Sequence, residues 1–167
     1  MFSIRAATED DIPLILYFIR ELAEYERLAE RVVATEEALR RTLFGNPRFA
    51  EVIIAEADDQ PVGFALFFHN YSTFLGAPGI YLEDLFVEPE HRGRGYGKAL
   101  LAHLAHLAKE RECGRVEWAV LEWNEASINF YRRIGARSLD DWRIFRLTGD
   151  ALDALATREH EWTKGKS

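Results

Sequence analysis

Three glycines and two arginines fall within six consecutive residues near the middle of the chain. Residues 92–97 read Arg-Gly-Arg-Gly-Tyr-Gly; they follow an apolar run at 80–87 and open a helical pattern at 98–109. Glycines leave backbone N–H groups bare at the start of a helix, where the helix dipole favours an anion. Arginine adds a charge that suits phosphate. This segment, the glycine loop, predicts a pyrophosphate site and hence a phosphorylated cofactor, against the simpler alternative of a glycine-rich surface turn.

Two common phosphate-binding loops do not match the glycine loop. The dinucleotide fingerprint requires a glycine where this chain has Lys98. The Walker loop requires a glycine in place of Arg92 and a serine or threonine in place of Ala99. What remains is the pattern Arg-x-x-Gly-x-Gly, preceded by Val-Glu-Pro at residues 87–89.

Two further pairs of residues are placed where chemistry is plausible. Glu83 and Asp84 interrupt an apolar strand, and a buried carboxylate is costly unless it is paired or used. Strand alternation directs the two acids to opposite faces unless a bulge intervenes. Asn124 and Tyr131 are seven residues apart and therefore share one face of a helix. The simpler interpretations are an acid paired with an arginine, an N-cap asparagine and a core tyrosine.

Composition limits the classes of function that the chain can serve. The 167 residues, 48% of them hydrophobic, predict one globular domain at 1–156 and a polar tail at 157–167. The net charge of -7 argues against nucleic acid and anionic membrane surfaces as partners. With one cysteine, no apolar run of membrane-spanning length and no signal-peptide pattern, the chain is expected in the cytoplasm.

The hydrophobic pattern predicts an α/β fold with a mixed, mostly antiparallel sheet. Strands are expected at residues 3–6, 52–57, 62–68, 80–87, 115–121 and 142–147, with a loop at 70–79. Thr8, Thr35 and Asn124 are each expected to begin a helix, and a further helix is expected directly after the glycine loop. The strands on either side of that helix should be parallel neighbours.

Four segments together resemble the spermidine/spermine N1-acetyltransferase group of the GCN5-related N-acetyltransferases, and its thialysine Nε-acetyltransferase branch in particular. They are Glu-Leu-Ala-Glu-Tyr-Glu at 21–26, Tyr-Leu-Glu-Asp-Leu-Phe-Val at 81–87, the glycine loop, and Glu-Trp-Asn-Glu-Ala-Ser-Ile-Asn-Phe-Tyr at 122–131. The resemblance runs from residue 4 to about residue 156. It implies the GNAT fold, with helices on both faces of a twisted sheet, acetyl-CoA as co-substrate, no metal, and a homodimer.

The resemblance also implies roles for individual residues. Glu83 would accept the proton of the amine, through water, and Tyr131 would lie near the thioester sulfur as proton donor. The amine site would be lined by Tyr25, Glu26 and Asp84. Acetyl-CoA would pair with the strand backbone at Leu85, Phe86 and Val87. Asn124 and Ser127 of the 122–131 segment would also hold it. The remaining contacts would come from the glycine loop and the residue after it, namely Arg92, Gly93, Arg94, Gly95, Tyr96, Gly97 and Lys98.

Elementary acid–base chemistry makes these roles reasonable. An alkylammonium group with a pKa of about 10.4 is only about one part in a thousand neutral near pH 7, and only the neutral amine attacks, so a carboxylate base is useful. Proton transfer from a phenol with a pKa of about 10 to the thiolate of a thiol with a pKa of about 8.5 is unfavourable by roughly 2 kcal/mol. Tyr131 is therefore expected to act partly as a hydrogen-bond donor.

One departure from the polyamine enzymes bears on the acceptor. Those enzymes carry an acid after the tyrosine in the segment before the 80–87 strand, whereas this chain has Ser72. The sequence therefore favours a small cationic amine, of the thialysine or diamine type, over a long polyamine. Two rival interpretations stay open, namely an acetyltransferase of a protein or peptide amine and a CoA-binding module without activity.

Overall fold

The computed structural model describes residues 1–159 and gives five strands and five α-helices within them. The strands are β1 (Phe2–Ala6), β2 (Glu51–Ala57), β3 (Gln60–Ser72), β4 (Ala77–Val87) and β5 (Val116–Trp118). The helices are α1 (Ile12–Tyr25), α2 (Glu36–Leu39), α3 (Tyr96–Glu110), α4 (Glu125–Arg133) and α5 (Gly149–Thr157). Contacts divide the chain into a first unit, residues 1–123, and a second unit, residues 124–167. The single domain at 1–156 stays a prediction.

The first unit is built on one five-stranded sheet in the order β1-β2-β3-β4-β5. The first four strands are antiparallel, and β5 is parallel to β4, as the sequence predicts. The parallel pairing is short, because it joins only residues 80–82 of β4 to residues 116–118 of β5. Residues 83–87 of β4 therefore continue beyond the last β5 pair, and one edge of that stretch is not used by β5.

One face of the sheet is covered by α1, which begins at Ile12, because the predicted start at Thr8 caps a short 3-10 turn at Glu9–Asp11 instead. The Asp11 carboxylate accepts the Thr8 N–H at 2.7 Å, the reciprocal half of the expected capping box. The apolar stripe of α1 packs on the sheet, where the Phe18 and Phe64 rings stack 5.3 Å apart and both are fully buried. Truncation of such a buried ring to alanine typically costs about 3–5 kcal/mol of folding stability, so this contact holds α1 firmly on the sheet.

The other face is covered by α3. Ile53, Ala65 and Phe67 are buried there, alternating along their strands with the residues that face α1. The Arg111 guanidinium, at the end of α3, lies 5.9 Å from the centre of the Phe67 ring. Leu100 and Leu104 of α3 are fully buried. Helices on both faces of a mixed sheet confirm the predicted fold class.

The predicted loop at residues 70–79 is wrong, because most of it belongs to a hairpin. Strands β3 and β4 pair out to Ser72 and Ala77, which leaves a turn at residues 73–76. Gly79, a small residue of the kind that is common in loops, is instead required in the strand by close packing. A Cβ there would lie 2.4 Å from Oδ1 of Asn70, whose amide donates to Glu117 at 2.8 Å.

Two other strand predictions differ from the structure. The strand expected at 115–121 is only Val116–Trp118. The strand expected at 142–147 is irregular chain, with Trp142, Ile144 and Phe145 between 74% and 91% exposed. Alternation of apolar residues indicates a strand only where a neighbouring strand satisfies its backbone, and within residues 1–159 the sheet ends at β5.

The second unit, as far as residue 159, contains α4 and α5. Gly135 follows α4 with a φ of 91°, the left-handed conformation that ends a helix and favours glycine. Thr157 is the last residue of α5, so the predicted tail begins at a helix end, and residues 160–167 lie outside the described part. None of the helices described is long and apolar enough to cross a membrane.

Candidate active site

The glycine loop forms a bare turn at the start of α3. Gly93 and Gly95 have φ angles of 77° and 88°, which L-residues rarely adopt, and a Cβ at either would meet nothing within 4 Å. The first helical hydrogen bond of α3 is from Ala99 N–H to the Gly95 carbonyl, at 2.9 Å. The amides of residues 96–98 therefore precede the helical ladder, at the positive end of a 15-residue helix. An anion such as pyrophosphate fits this turn.

The loop is held in place from two sides. The Tyr96 ring stacks on Phe2 of β1, with ring centres 4.6 Å apart and planes within 1° of parallel. A Cβ at Gly97 would lie 3.9 Å from the Val87 side chain, so the start of α3 packs on the end of β4. The exposed Arg94 is close enough to Asp58 to contribute to the lowered pKa of that carboxyl, whose main cause is the N-terminal ammonium. Lys98 is also exposed.

Some backbone groups of β4 point away from β3 beside the glycine loop, and one of them, the Val87 carbonyl, accepts a hydrogen bond from Nε of Arg92 at 2.9 Å. Glu88 N–H donates to the Val62 carbonyl of β3 at 2.9 Å, and groups of successive residues point to opposite edges of a strand. The N–H and C=O groups of Leu85 and Val87 therefore point away from β3, toward the edge that β5 leaves unused. Phe86, opposite Phe64, directs its backbone to β3 and buries its ring. An extended ligand can pair with Leu85 and Val87, whereas Phe86 anchors the strand.

A β-bulge at Glu83 changes the predicted alternation of the two acids. Asp84 is opposite Leu66 and Leu82 is opposite Phe67, so Glu83 is the extra residue. Leu66 and Phe67 face opposite sides of the sheet, so Asp84 and Leu82 do as well, although they are two residues apart. Asp84 consequently lies on the α1 face with Leu66, and Glu83 is exposed.

Two neighbouring carboxylates act on Asp84 at this point. Burial raises the pKa of Asp84 to about 7, and the negative charges of Glu83 and then Glu26 contribute. Glu26 follows the last residue of α1, and burial raises the pKa of its carboxyl too. Residues far apart in sequence therefore form one acidic cluster, Glu26, Glu83 and Asp84, which a cation would stabilise.

An aromatic pair lies at the end of α1, beside Glu26. The Tyr25 and Trp123 rings are 6.0 Å apart and tilted by 49°. The Arg27 guanidinium carbon lies 5.5 Å from the Trp123 ring centre, and that of Arg92 lies 4.7 Å from the Tyr25 ring centre. No role for Trp123 is predicted from sequence, although its position directly before Asn124 is a signal that could have indicated one. Ordinary cation–π distances are met on both rings.

The remaining predicted site residues lie on α4 in the second unit. Asn124 Oδ1 accepts the Ser127 N–H at 3.3 Å, so the N-cap interpretation of Asn124 is confirmed. Tyr131 lies on the same helix face as Asn124, and its ring centre is 5.5 Å from that of Phe130. Tyr131 is half-buried, an environment in which a phenol retains a polar partner.

Ser72, which the sequence placed at the acceptor site, has a structural task. Its side chain is buried, and its Oγ accepts the Leu75 N–H at 3.2 Å, which stabilises the turn between β3 and β4. In residues 1–159, no group of three or more His, Cys, Asp or Glu side chains is arranged to hold a metal ion.

Comparison with known proteins identifies the family of this chain. The acetyltransferase (GNAT) family matches residues 16–136. The chain is a member of the GNAT acetyltransferase family. Its resemblance to the thialysine branch is confirmed by a thialysine N-epsilon-acetyltransferase of Sus scrofa, 42% identical and covering 92% of this chain and 96% of that protein. An L-ornithine N5-acetyltransferase of Arabidopsis thaliana is 36% identical and covers 93% of this chain and 88% of that protein.

Solved structures support the fold of this GNAT protein. An integron cassette protein from the mobile metagenome of V. cholerae has a TM-score of 0.79 and 27% identity, and the match covers 93% of this chain and 97% of that one. An aminoglycoside acetyltransferase from a soil metagenome has a TM-score of 0.75 at 20% identity, covering 89% and 97%. Both matches support the GNAT fold.

Proposed function

We propose that this GNAT enzyme transfers the acetyl group of acetyl-CoA directly to a primary amine of a small cationic acceptor. The observation that carries the proposal is the acidic cluster of Glu26, Glu83 and Asp84 beside the free edge of β4. Burial and the negative charges of Glu83 and Glu26 raise the pKa of Asp84 in this cluster. An ammonium ion bound among them would relieve that repulsion, and a neutral amine would not.

The residues fit acetyl-CoA as the donor. The bare amides of the glycine loop would hold the pyrophosphate, and the backbone groups of Leu85 and Val87 would pair with the pantetheine arm as an added strand does. Asn124 and Ser127 are proposed to hold the arm farther along. When bound, acetyl-CoA supplies a thioester whose acyl carbon is the electrophile.

Each proposed catalytic residue moves or shares one proton. Glu83 accepts a proton from the ammonium group, through water, so that the nitrogen lone pair is available to form the new C–N bond. Tyr131 donates a hydrogen bond to the departing sulfur as the C–S bond breaks, and the sulfur takes up the second proton that the nitrogen loses as it becomes an amide. Tyr25, Glu26 and Asp84 orient the rest of the cation. The products are an amide and coenzyme A, and no oxidant or metal is required for the balance.

The relatives favour short acceptors within this class. Their names specify thialysine in one case and L-ornithine in another, both of which carry a second ammonium group and a carboxylate. A protein related at 34% identity is named spermidine/spermine N(1)-acetyltransferase-like, but the match covers only 24% of it. Ser72 supplies no negative charge for a long polycation. We therefore propose thialysine, ornithine or a short diamine as better acceptors than spermine.

A panel of acceptors tests the proposal. The purified protein is given acetyl-CoA with thialysine, ornithine, 1,3-diaminopropane, spermidine, spermine, a neutral aliphatic alcohol and a lysine-containing peptide, and released thiol is measured. We expect the highest kcat/KM with a short cationic amine. Preference for the peptide would favour the protein-acetyltransferase alternative. Binding of acetyl-CoA without turnover of any acceptor would favour a CoA-binding module.

A homodimer in the cytoplasm completes the proposal. In support of it, the second unit has several large apolar side chains exposed to solvent, including Trp142, Ile144 and Phe145, and exposed apolar patches are typical of protein interfaces. Light scattering at micromolar concentration should give about twice the 19.2 kDa mass of one chain. A mass of one chain at that concentration would contradict the dimer, and cell fractionation tests the compartment.

A further inference from the structure

One side chain spans the distance from the glycine loop to the end of α1. The Arg92 guanidinium carbon is 4.7 Å from the Tyr25 ring centre and 5.5 Å from the Phe86 ring centre. Nε of Arg92 also donates to the Val87 carbonyl oxygen at 2.9 Å. Arg92 is thus attached at once to the proposed donor site, through Val87, and to the proposed acceptor site, through Tyr25.

Both contacts use groups that substrates would need. The Val87 carbonyl belongs to the free edge of β4, where an added strand of ligand would find its hydrogen-bond acceptor. The face of Tyr25 lies beside Glu26, where a cationic acceptor would bind. In this conformation, Arg92 competes with both ligands.

The contacts are of a kind that a phosphate ligand can displace. Arg92 is exposed, and cation–π contacts at exposed sites are weak. Bidentate, charge-assisted hydrogen bonds from arginine to phosphate oxygens are among the strongest polar interactions in proteins. Arg92 begins the turn that would hold the pyrophosphate, so its side chain can reach that anion by rotation about its own bonds.

We infer that Arg92 is a positioning residue that couples the two substrates. In the free protein its guanidinium occupies the Tyr25 face and the Val87 carbonyl; with the donor bound it turns to the pyrophosphate and releases both. Donor binding then raises affinity for the cationic amine, and by linkage the amine raises affinity for the donor by the same factor. This inference rests on the proposed function, because it takes the acceptor to be a cation at Tyr25 and Glu26.

Arg94 provides a matched control. It lies in the same loop, two residues on, and carries the same charge, but it faces Asp58 rather than Tyr25. Arg94→Gln and Arg92→Gln should each weaken binding of coenzyme A. Only Arg92→Gln should also remove the coupling between donor and acceptor.

Calorimetry with thialysine, in the absence and in the presence of saturating coenzyme A, measures the coupling. We expect coenzyme A to raise thialysine affinity about tenfold in the unmodified protein and in Arg94→Gln, within the usual range for coupled sites. In Arg92→Gln the ratio should fall to about one, and thialysine should bind the free protein more tightly than it binds the unmodified one. An unchanged ratio in Arg92→Gln, or a ratio of one in the unmodified protein, would overturn the inference.

Nuclear magnetic resonance of the arginine Nε–H groups separates this inference from the proposed function, because it needs no acceptor. The Arg92 signal, assigned by its loss in Arg92→Gln, should carry a ring-current shift in the free protein that Tyr25→Leu removes. Coenzyme A should abolish the same shift. An Arg92 signal that coenzyme A leaves in place overturns the inference, whereas failure of every amine in the acceptor panel contradicts the proposed function.

Discussion

Asp84 of β4 lies opposite Leu66 of β3, on the face of the sheet that α1 covers. Ordinary alternation from Phe86 places it there, whereas the bulge at Glu83 turns Leu82 to the opposite face. Glu26, at the end of α1, is close enough to contribute to the raised pKa of Asp84. The bulge leaves Glu83 as the unpaired, exposed residue, while its neighbour Asp84 lies on the α1 face.

Asp84→Asn should stabilise the protein at alkaline pH. The pKa of Asp84 rises from 3.8 to about 7 on folding, so the unfolded chain releases its proton at lower pH than the folded protein. Folded-state stability is therefore lost as pH rises through the window between these two values, and the loss is complete above the folded pKa. Each tenfold change in the ionisation constant is worth about 1.4 kcal/mol, so we expect a gain of roughly 2–4 kcal/mol for Asp84→Asn at pH 8.

Urea unfolding at pH 5 and pH 8 measures this gain. The gain in unfolding free energy should be clear at pH 8. It should be much smaller at pH 5, because that pH lies nearer the lower end of the window between the unfolded and folded pKa values of Asp84. Asp59→Asn, at an exposed position in the β2–β3 turn, is the control for the removal of a carboxyl group from the surface. If Asp84→Asn destabilised the protein equally at pH 8 and pH 5, the ionised Asp84 carboxylate would be stabilised by a partner in the folded protein, which contradicts the prediction.

The glycine loop and α3 could be predicted from sequence, because positive φ angles and a helical apolar period leave marks on residue type. Asn124 was likewise recognisable as a cap. The bulge at Glu83 was not, since one extra residue leaves the composition of a strand unchanged. The contact of Arg92 with Tyr25 joins residues far apart in the chain and depends on how α1 ends. Residues 142–147 alternate as a strand does, but local alternation carries no information about a pairing partner.

Gly95→Val should weaken coenzyme A binding by at least tenfold. Gly95 has a φ of 88° and open space above it, so a valine would fill the space that the pyrophosphate needs. Strain at a left-handed position costs about 1–2 kcal/mol in folding stability. Gly76→Val is the control, because Gly76 also has a positive φ, of 61°, and open space, but lies in the β3–β4 turn. We expect both variants to lose a similar amount of folding stability, but only Gly95→Val to lose affinity for coenzyme A in titration calorimetry. Equal affinity for coenzyme A in both variants would show that this loop is not part of the donor site.

Glu83→Gln should reduce turnover most strongly near neutral pH. A general base contributes about a hundredfold to ten-thousandfold in rate, and a rise in pH supplies neutral amine from solution instead. The deficit in kcat/KM should therefore shrink between pH 7 and pH 9.5. Asp84→Asn is the informative comparison, because the two carboxyls are adjacent. A normal pH profile in Glu83→Gln together with an altered one in Asp84→Asn would move the base from Glu83 to Asp84.

Tyr131→Phe should lower kcat by about a hundredfold, the low end of the range for a general acid. The low end is expected because a phenol is a poor match for a departing thiolate, so that Tyr131 shares its proton more than it transfers it. The ring and its contact with Phe130 remain in this variant, so the unfolding midpoint should change little. Tyr17→Phe, at an exposed position on α1, controls for loss of a hydroxyl elsewhere and should keep its turnover. Stopped-flow measurement of a single turnover separates the chemical step from product release. If the single-turnover rate of Tyr131→Phe equals that of the unmodified enzyme, the role of Tyr131 is structural, and another group must donate a hydrogen bond to the departing sulfur.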